Sequence, residues 1–185
     1  LATIVQHSAE MAKEYERVFG KPLQLSPGVP DAGREWIKRL LANRVTVARS
    51  TNDVAKAVGR AEPARAPIGF TAMSRLRDRE KDPKLQFDVA YDLQPVAAVT
   101  TGVLLAVPAY APHPQAAKLL VRWLMGDAKG GEGYKPYFVL GDAPTRSDQP
   151  LPPGMRAIER RWYADPAYVW ATGRAILDFW LANLK

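Results

Sequence analysis

The stretch Thr100–Gly126, TTGVLLAVPAYAPHPQAAKLLVRWLMG, limits most strongly what this chain can fold into. Gly102–Val107 is a continuous apolar run of strand length, rich in Val and Leu, which predicts a buried strand. Pro108 stops it, and Ala109–Pro114 is a connector holding two further prolines. The period then changes. Ala116, Leu119, Leu120, Trp123 and Leu124 recur at the spacing of one helix face, Lys118 and Arg122 share another, and Gly126 stands where a glycine stop belongs. A buried strand, a proline-marked crossover and a helix covering a sheet predict an α/β fold.

Elsewhere the same grammar recurs. Ser8 can cap a helix over Ala9–Phe19 that ends at Gly20, with Met11, Tyr15, Val18 and Phe19 as its inner face. Asp31 starts a second helix running to Asn43 with the stripe Trp36, Ile37, Leu40 and Leu41. Short strands are predicted over Arg44–Arg49, Ile68–Thr71 and Leu85–Leu93, the last from its alternation. Lys129–Asp148 is glycine-rich at its start, and its GGEG lacks the lysine and hydroxyl ending of a phosphate loop, so it is a flexible connection. A short helix over Met155–Tyr163 and a long amphipathic one over Tyr168–Leu184 complete the reading.

The most suggestive local site is Ser50-Thr51-Asn52, between the Arg44–Arg49 strand and a short helix carrying Val54, Ala55 and Val58. A helix N-terminus presents unpaired N–H groups and a positive dipole end, and hydroxyls add donors. Equally, Ser50 or Thr51 can do no more than cap its own helix. Thr71–Ser74 falls at the carboxyl end of a predicted strand, where open α/β sheets present ligand-binding groups.

Several chemistries are disfavoured. The chain has no cysteine, which removes thiol catalysis, cysteine-ligated zinc and disulfides. Its two histidines, His7 and His113, lie beside a helix cap and between prolines, and neither fits a triad or a metal set. No paired carboxylates, dinucleotide fingerprint or cofactor motif is present, so no cofactor and no metal are expected. The net charge of +7 is spread without a basic run, and Arg75–Asp82 alternates in sign, so nucleic acid is not an expected partner. The apolar runs are too short to span a bilayer, so direct membrane insertion is not expected either. From Leu1 the chain shows neither the basic region nor the small-residue cleavage site of a secretory signal, and the absence of an initial Met suggests a mature or excised fragment whose targeting segment, if any, is gone.

Four segments, in order, resemble the periplasmic solute-binding proteins of ABC importers, in the extracellular family that includes ferric-ion, phosphonate and sugar binders. They are WIKRLLANRVTVARSTNDVAKAVGRA, APIGF, GVLLAVPAYAPHPQAAKLLVRWLMGD and GDAPTRSD, spanning roughly residues 31–148. The third is the most specific, with its Ala-Pro-His-Pro-Gln-Ala-Ala-Lys run after a hydrophobic strand. The resemblance implies a type 2 periplasmic-binding-protein-like α/β lobe, a mixed sheet flanked by helices. Residues 1–98 and 145–185 would form the C-terminal lobe, residues 99–144 would cross towards the first lobe, and most of that first lobe would be absent. It further implies a non-enzymatic receptor in the periplasm that captures a small-molecule or ion ligand, polar or anionic, between lobes and delivers it to a membrane permease. Ferric binders place adjacent tyrosines after the Ile-Gly strand, where this chain reads Phe70-Thr71-Ala72-Met73-Ser74-Arg75. Hydroxyls and Arg75 suit a small oxyanion or polar organic acid better than iron. The candidate contacts are therefore Ser50, Thr51, Asn52, Thr71, Ser74 and Arg75. The alternative is a small α/β enzyme or ligand-sensing regulator reusing the same fold.

Overall fold

The computed structural model describes residues 1–100, 102 and 104–184. Among the described residues the chain is mostly helical, 47% helix and 3% strand, with eight α-helices and a two-stranded parallel sheet. This overturns the expected α/β lobe with a mixed, helix-flanked sheet. Two compact units are built from alternating parts of the chain: Leu1–Val47, Ala90–Gly102 and Ile158–Lys185 form the first, Ala48–Val89 and Val103–Ala157 the second.

The first unit holds α1 (Ala2–Gln6), α2 (Ser8–Phe19), α3 (Ala32–Ala42), β1 (Ala98–Thr100), β2 (Arg161–Tyr163) and α8 (Pro166–Asn183). Its core joins Val5 of α1, Ile37 of α3 and Ile176 of α8, with Trp36, Leu41, Tyr168, Phe179 and Trp180 packed around them. Each of the two longer core helices starts on an aspartate. Asp31 accepts from Arg34 N at 2.8 Å, and Asp165 accepts from Ala167 N at 2.8 Å, satisfying donors that have no partner within the helix. The start of α3 lies close to the α1–α2 junction because residue 33 is glycine. A Cβ there would stand 2.6 Å from the Val5 Cα. Ser8 does not cap α2, whose N-cap is His7. Instead its Oγ accepts from Gly33 N at 3.0 Å and can give its single proton to Val5 O (2.6 Å) or Asp31 (3.0 Å). Gly20 ends α2 in the left-handed conformation at φ 66°, as its place in the sequence predicts.

The sheet arises elsewhere than expected. β1 pairs in parallel with β2, Val99 opposite Trp162, so part of the segment read as a helix over Met155–Tyr163 is a strand. A two-stranded ladder of three residues has little stability of its own. Here the Trp162 side chain anchors it: the indole is buried, its Nε1 donates to Glu10 at 2.9 Å, and the His7 ring stacks on it at 4.6 Å and 5°.

The second unit holds α4 (Thr51–Gly59), a 3-10 turn (Met73–Arg77) running into α5 (Asp78–Lys81), α6 (Pro114–Met125) and α7 (Gly131–Tyr134). Ala55, Leu76, Leu85 and Pro152 are buried in it. The glycine-rich connection is ordered as α7, which meets α6 at Gly133, where a Cβ would lie 2.3 Å from Trp123 O. The following loop closes the C-terminal end of α6: Arg146 Nη1 donates to Gly126 O at 3.3 Å, and Gln149 Nε2 donates to Asp127 O at 2.7 Å.

Among the described residues, the strands expected over 44–49, 68–71 and 85–93 form no ladder. The run expected as a buried strand over 102–107 also fails: Leu104 is 88% and Leu105 50% exposed, while Thr101 and Val103 lie outside the described residues. The chemical reason is that a strand needs a second edge to pair its N–H and C=O groups. The chain carries 16 prolines in 185 residues, against an average of ~5%; Pro67 and Pro108 adjoin two of these segments and Pro95 lies two residues past a third. The helix predicted to cover a sheet, α6, instead leaves Leu119, Leu120 and Trp123 more than half exposed.

Candidate functional site at the first turn of α4

Ser50 is the N-cap of α4. Its Oγ accepts from Asp53 N at 3.2 Å and donates to the Asp53 carboxylate at 2.9 Å, so cap and third helical residue satisfy one another. The first-turn N–H groups of Thr51 and Asn52 have no acceptor within the helix. Thr71 comes to this end directly: its hydroxyl donates to Thr51 O at 2.9 Å. Gly69 makes that approach possible, since a Cβ there would stand 2.6 Å from Val54 and 2.8 Å from Val58 on the face of α4.

Thr71 leads at once into the 3-10 turn bearing Ser74 and Arg75. Arg75 Nη1 donates to Asp78 at 3.1 Å, and its Nε is buried with no partner. The return segment packs on the same turn. Arg77 Nη1 donates to Asp142 at 2.6 Å and to Leu140 O at 3.2 Å, and Gly141, at φ 91°, lies against Met73, whose carbonyl a Cβ would meet at 2.4 Å. All six residues expected from the sequence thus belong to the second unit, and Thr51 and Thr71 are in direct contact. Arg77, Gly141 and Asp142, which sequence reasoning did not place at the site, support the turn from behind. For Gly141 and Asp142 the signal was their place in the GDAPTRSD segment; Arg77 had none.

The electrostatics are less anion-friendly than the bare helix end implies. Asp53 already brings a carboxylate to the positive end of the α4 dipole. The Ser50 proton is committed to Asp53, the Thr71 proton to a carbonyl, and part of the Arg75 fork to Asp78. What remains for a ligand is mostly neutral: the Thr51 and Asn52 N–H groups, the Thr51 and Ser74 hydroxyls and the Asn52 amide. Such a set recognises hydroxyl, carbonyl or singly charged oxygen groups through neutral donors. At the other end of α4 a cleft of about 430 Å³ is lined by Arg60, Pro63, Lys84 and Gln86; none of the six candidates lines it.

Among the described residues, no group of three or more His, Cys, Asp or Glu side chains is placed to hold a metal ion. His7 is bonded to Glu10 at 3.0 Å, with its ring against Trp162, and His113 is the exposed N-cap of α6. No described helix is long and apolar enough to cross a membrane. Comparison of the chain with family models, with curated proteins and with solved structures finds no match.

Proposed function

We propose that this chain is a solute-capturing component of an ABC importer, holding a small polar or singly charged solute and delivering it to a membrane permease, with its place of work in the periplasm. The reading is of a binder and not of an enzyme. It rests on the resemblance of the four sequence segments to extracellular solute-binding proteins, not on a shared fold. One observation supports it beyond sequence. Thr51 of the first segment is bonded to Thr71, the residue that follows the second, and Asp142 of the fourth is bonded to Arg77 on the turn just beyond. The neutral donors left over favour a solute with hydroxyl or carboxylate oxygens over a multiply charged anion.

A thermal-shift screen of the protein against methylphosphonate, lactate, glucose and ferric citrate tests the reading. Lactate or glucose is expected to raise Tm in a concentration-dependent way. Replacing Ser50 and Thr51 with Ala should then diminish that shift by more than it lowers the unliganded Tm. Equal losses would make the pair a cap and nothing more, and the absence of any shift would count against a receptor.

A further inference from the structure

We infer that the outer face of α8 is a self-complementary docking surface through which two copies of this chain associate. α8 is apolar on both sides of its axis. One side carries Ile176, 1% exposed, into the core with Tyr168, Phe179 and Trp180. On the opposite side Trp170, Leu177 and Leu181 form one stripe at i, i+7 and i+11, and they are 92%, 45% and 56% exposed. A helix that serves a single core is ordinarily polar on its outer side, so this stripe lacks a partner within the unit. At ~1.5 Å per residue it runs about 16 Å along the axis.

The charges on the stripe select the occupant. Arg174 and Asp178 flank Leu177 and form an i,i+4 pair at 3.1 Å, with side chains 86% and 53% exposed. They lie symmetrically about position 176. A second copy laid antiparallel across that point, on a two-fold axis, brings its Asp178 to Arg174 and its Arg174 to Asp178. The same operation brings Leu177 to within two residues' rise, about 3 Å, of its counterpart and Trp170 to within one, about 1.5 Å, of Leu181 along the axis. That is the residue-i-to-residue-j reciprocity an isologous interface requires. A parallel pairing would oppose like charges. A polyanion or an anionic membrane would meet a carboxylate and no net charge.

Sedimentation equilibrium of the full chain tests the proposal, with circular dichroism as the check that each variant is folded. The wild-type chain should show a monomer–dimer equilibrium, and W170A should raise the dissociation constant by about tenfold or more. R174D gives this face two carboxylates, and D178R gives it two guanidiniums. Each variant alone should be monomeric, and an equimolar mixture should dimerise again. Restoration in the mixture can come only from pairing between chains, because each chain has lost its internal pair. A monomeric wild type, a dimer indifferent to W170A, or a mixture that associates no better than its components would overturn the proposal. So would a dimer abolished instead by L120A and W123A on α6.

Discussion

Glu35 is 2% exposed, and it ties the loop before α3 to the helix. Its carboxylate accepts from Ser26 N at 2.8 Å, from Ser26 Oγ at 3.2 Å and from Arg39 Nε at 2.7 Å. Burial pushes its pKa up, but the Ser26 and Arg39 bonds outweigh that and hold it below the ordinary 4.5. A depressed carboxylate contributes stability that is complete above the unfolded-state pKa and is lost as pH falls through the lower native value. E35Q is therefore expected to cost about 2 kcal/mol at neutral pH, since Arg39 is half exposed and screened. That cost should shrink as the pH is lowered below 4.5 in parallel denaturant titrations of the two proteins; a cost that does not change with pH would contradict the assignment. Arg44 makes the opposite kind of prediction. It follows α3 at φ 58°, a conformation that costs a residue with a Cβ about 1–2 kcal/mol and glycine nothing. After the greater freedom of glycine in the unfolded chain is subtracted, R44G should raise Tm by about 2 °C, measured by calorimetry.

At the scale of elements, most helix ends were legible, inner faces only in part, since Val18 and Phe19, expected on the inner face of α2, are 52% and 59% exposed, and sheet pairing was not. Asp31, Ser50, Gly20 and Gly126 stand at helix ends as their chemistry predicts, because a cap is a local bargain between one side chain and the next turn. Alternation behaved differently. Residues 85, 87, 89 and 91 are more buried than their neighbours, as alternation implies, yet no strand forms there. The pattern encodes which side chains turn inward and says nothing about whether a second edge lies within reach. Conversely β2, a strand of three residues, is too short to show any period, and its existence depends on Trp162 meeting Glu10 and His7 from the other end of the chain. W162F keeps an apolar ring while removing the indole N–H. It should lower stability by about 1 kcal/mol, discounted for the exposure of Glu10. Hydrogen exchange should show the Ala98–Thr100 ladder opening more readily than in the wild type, with protection in α3 and α8 less affected. Unchanged exchange in the ladder would remove Trp162 from the role of anchor.

For the whole molecule, the sequence suggested residue types for a candidate site and little of its geometry. Ser50 and Thr51 were proposed from a cap and Thr71 from the end of a strand that does not form, and Thr51 and Thr71 lie together. The distribution of their protons was not readable, because it depends on Asp53, Asp78 and a backbone carbonyl that only the folded chain brings into range. That distribution moves the expected solute away from strong anions and towards neutral or singly charged oxygen compounds. Nuclear magnetic resonance is the direct test: record amide shifts of the full chain during titration with lactate and with glucose. The account predicts saturable changes confined to the amides of Thr51–Asp53 and of Thr71–Arg75 with one of these solutes, and their loss in the S50A/T51A variant. Changes confined to Arg60, Lys84 and Gln86 at the other end of α4, or none with either solute, would contradict it.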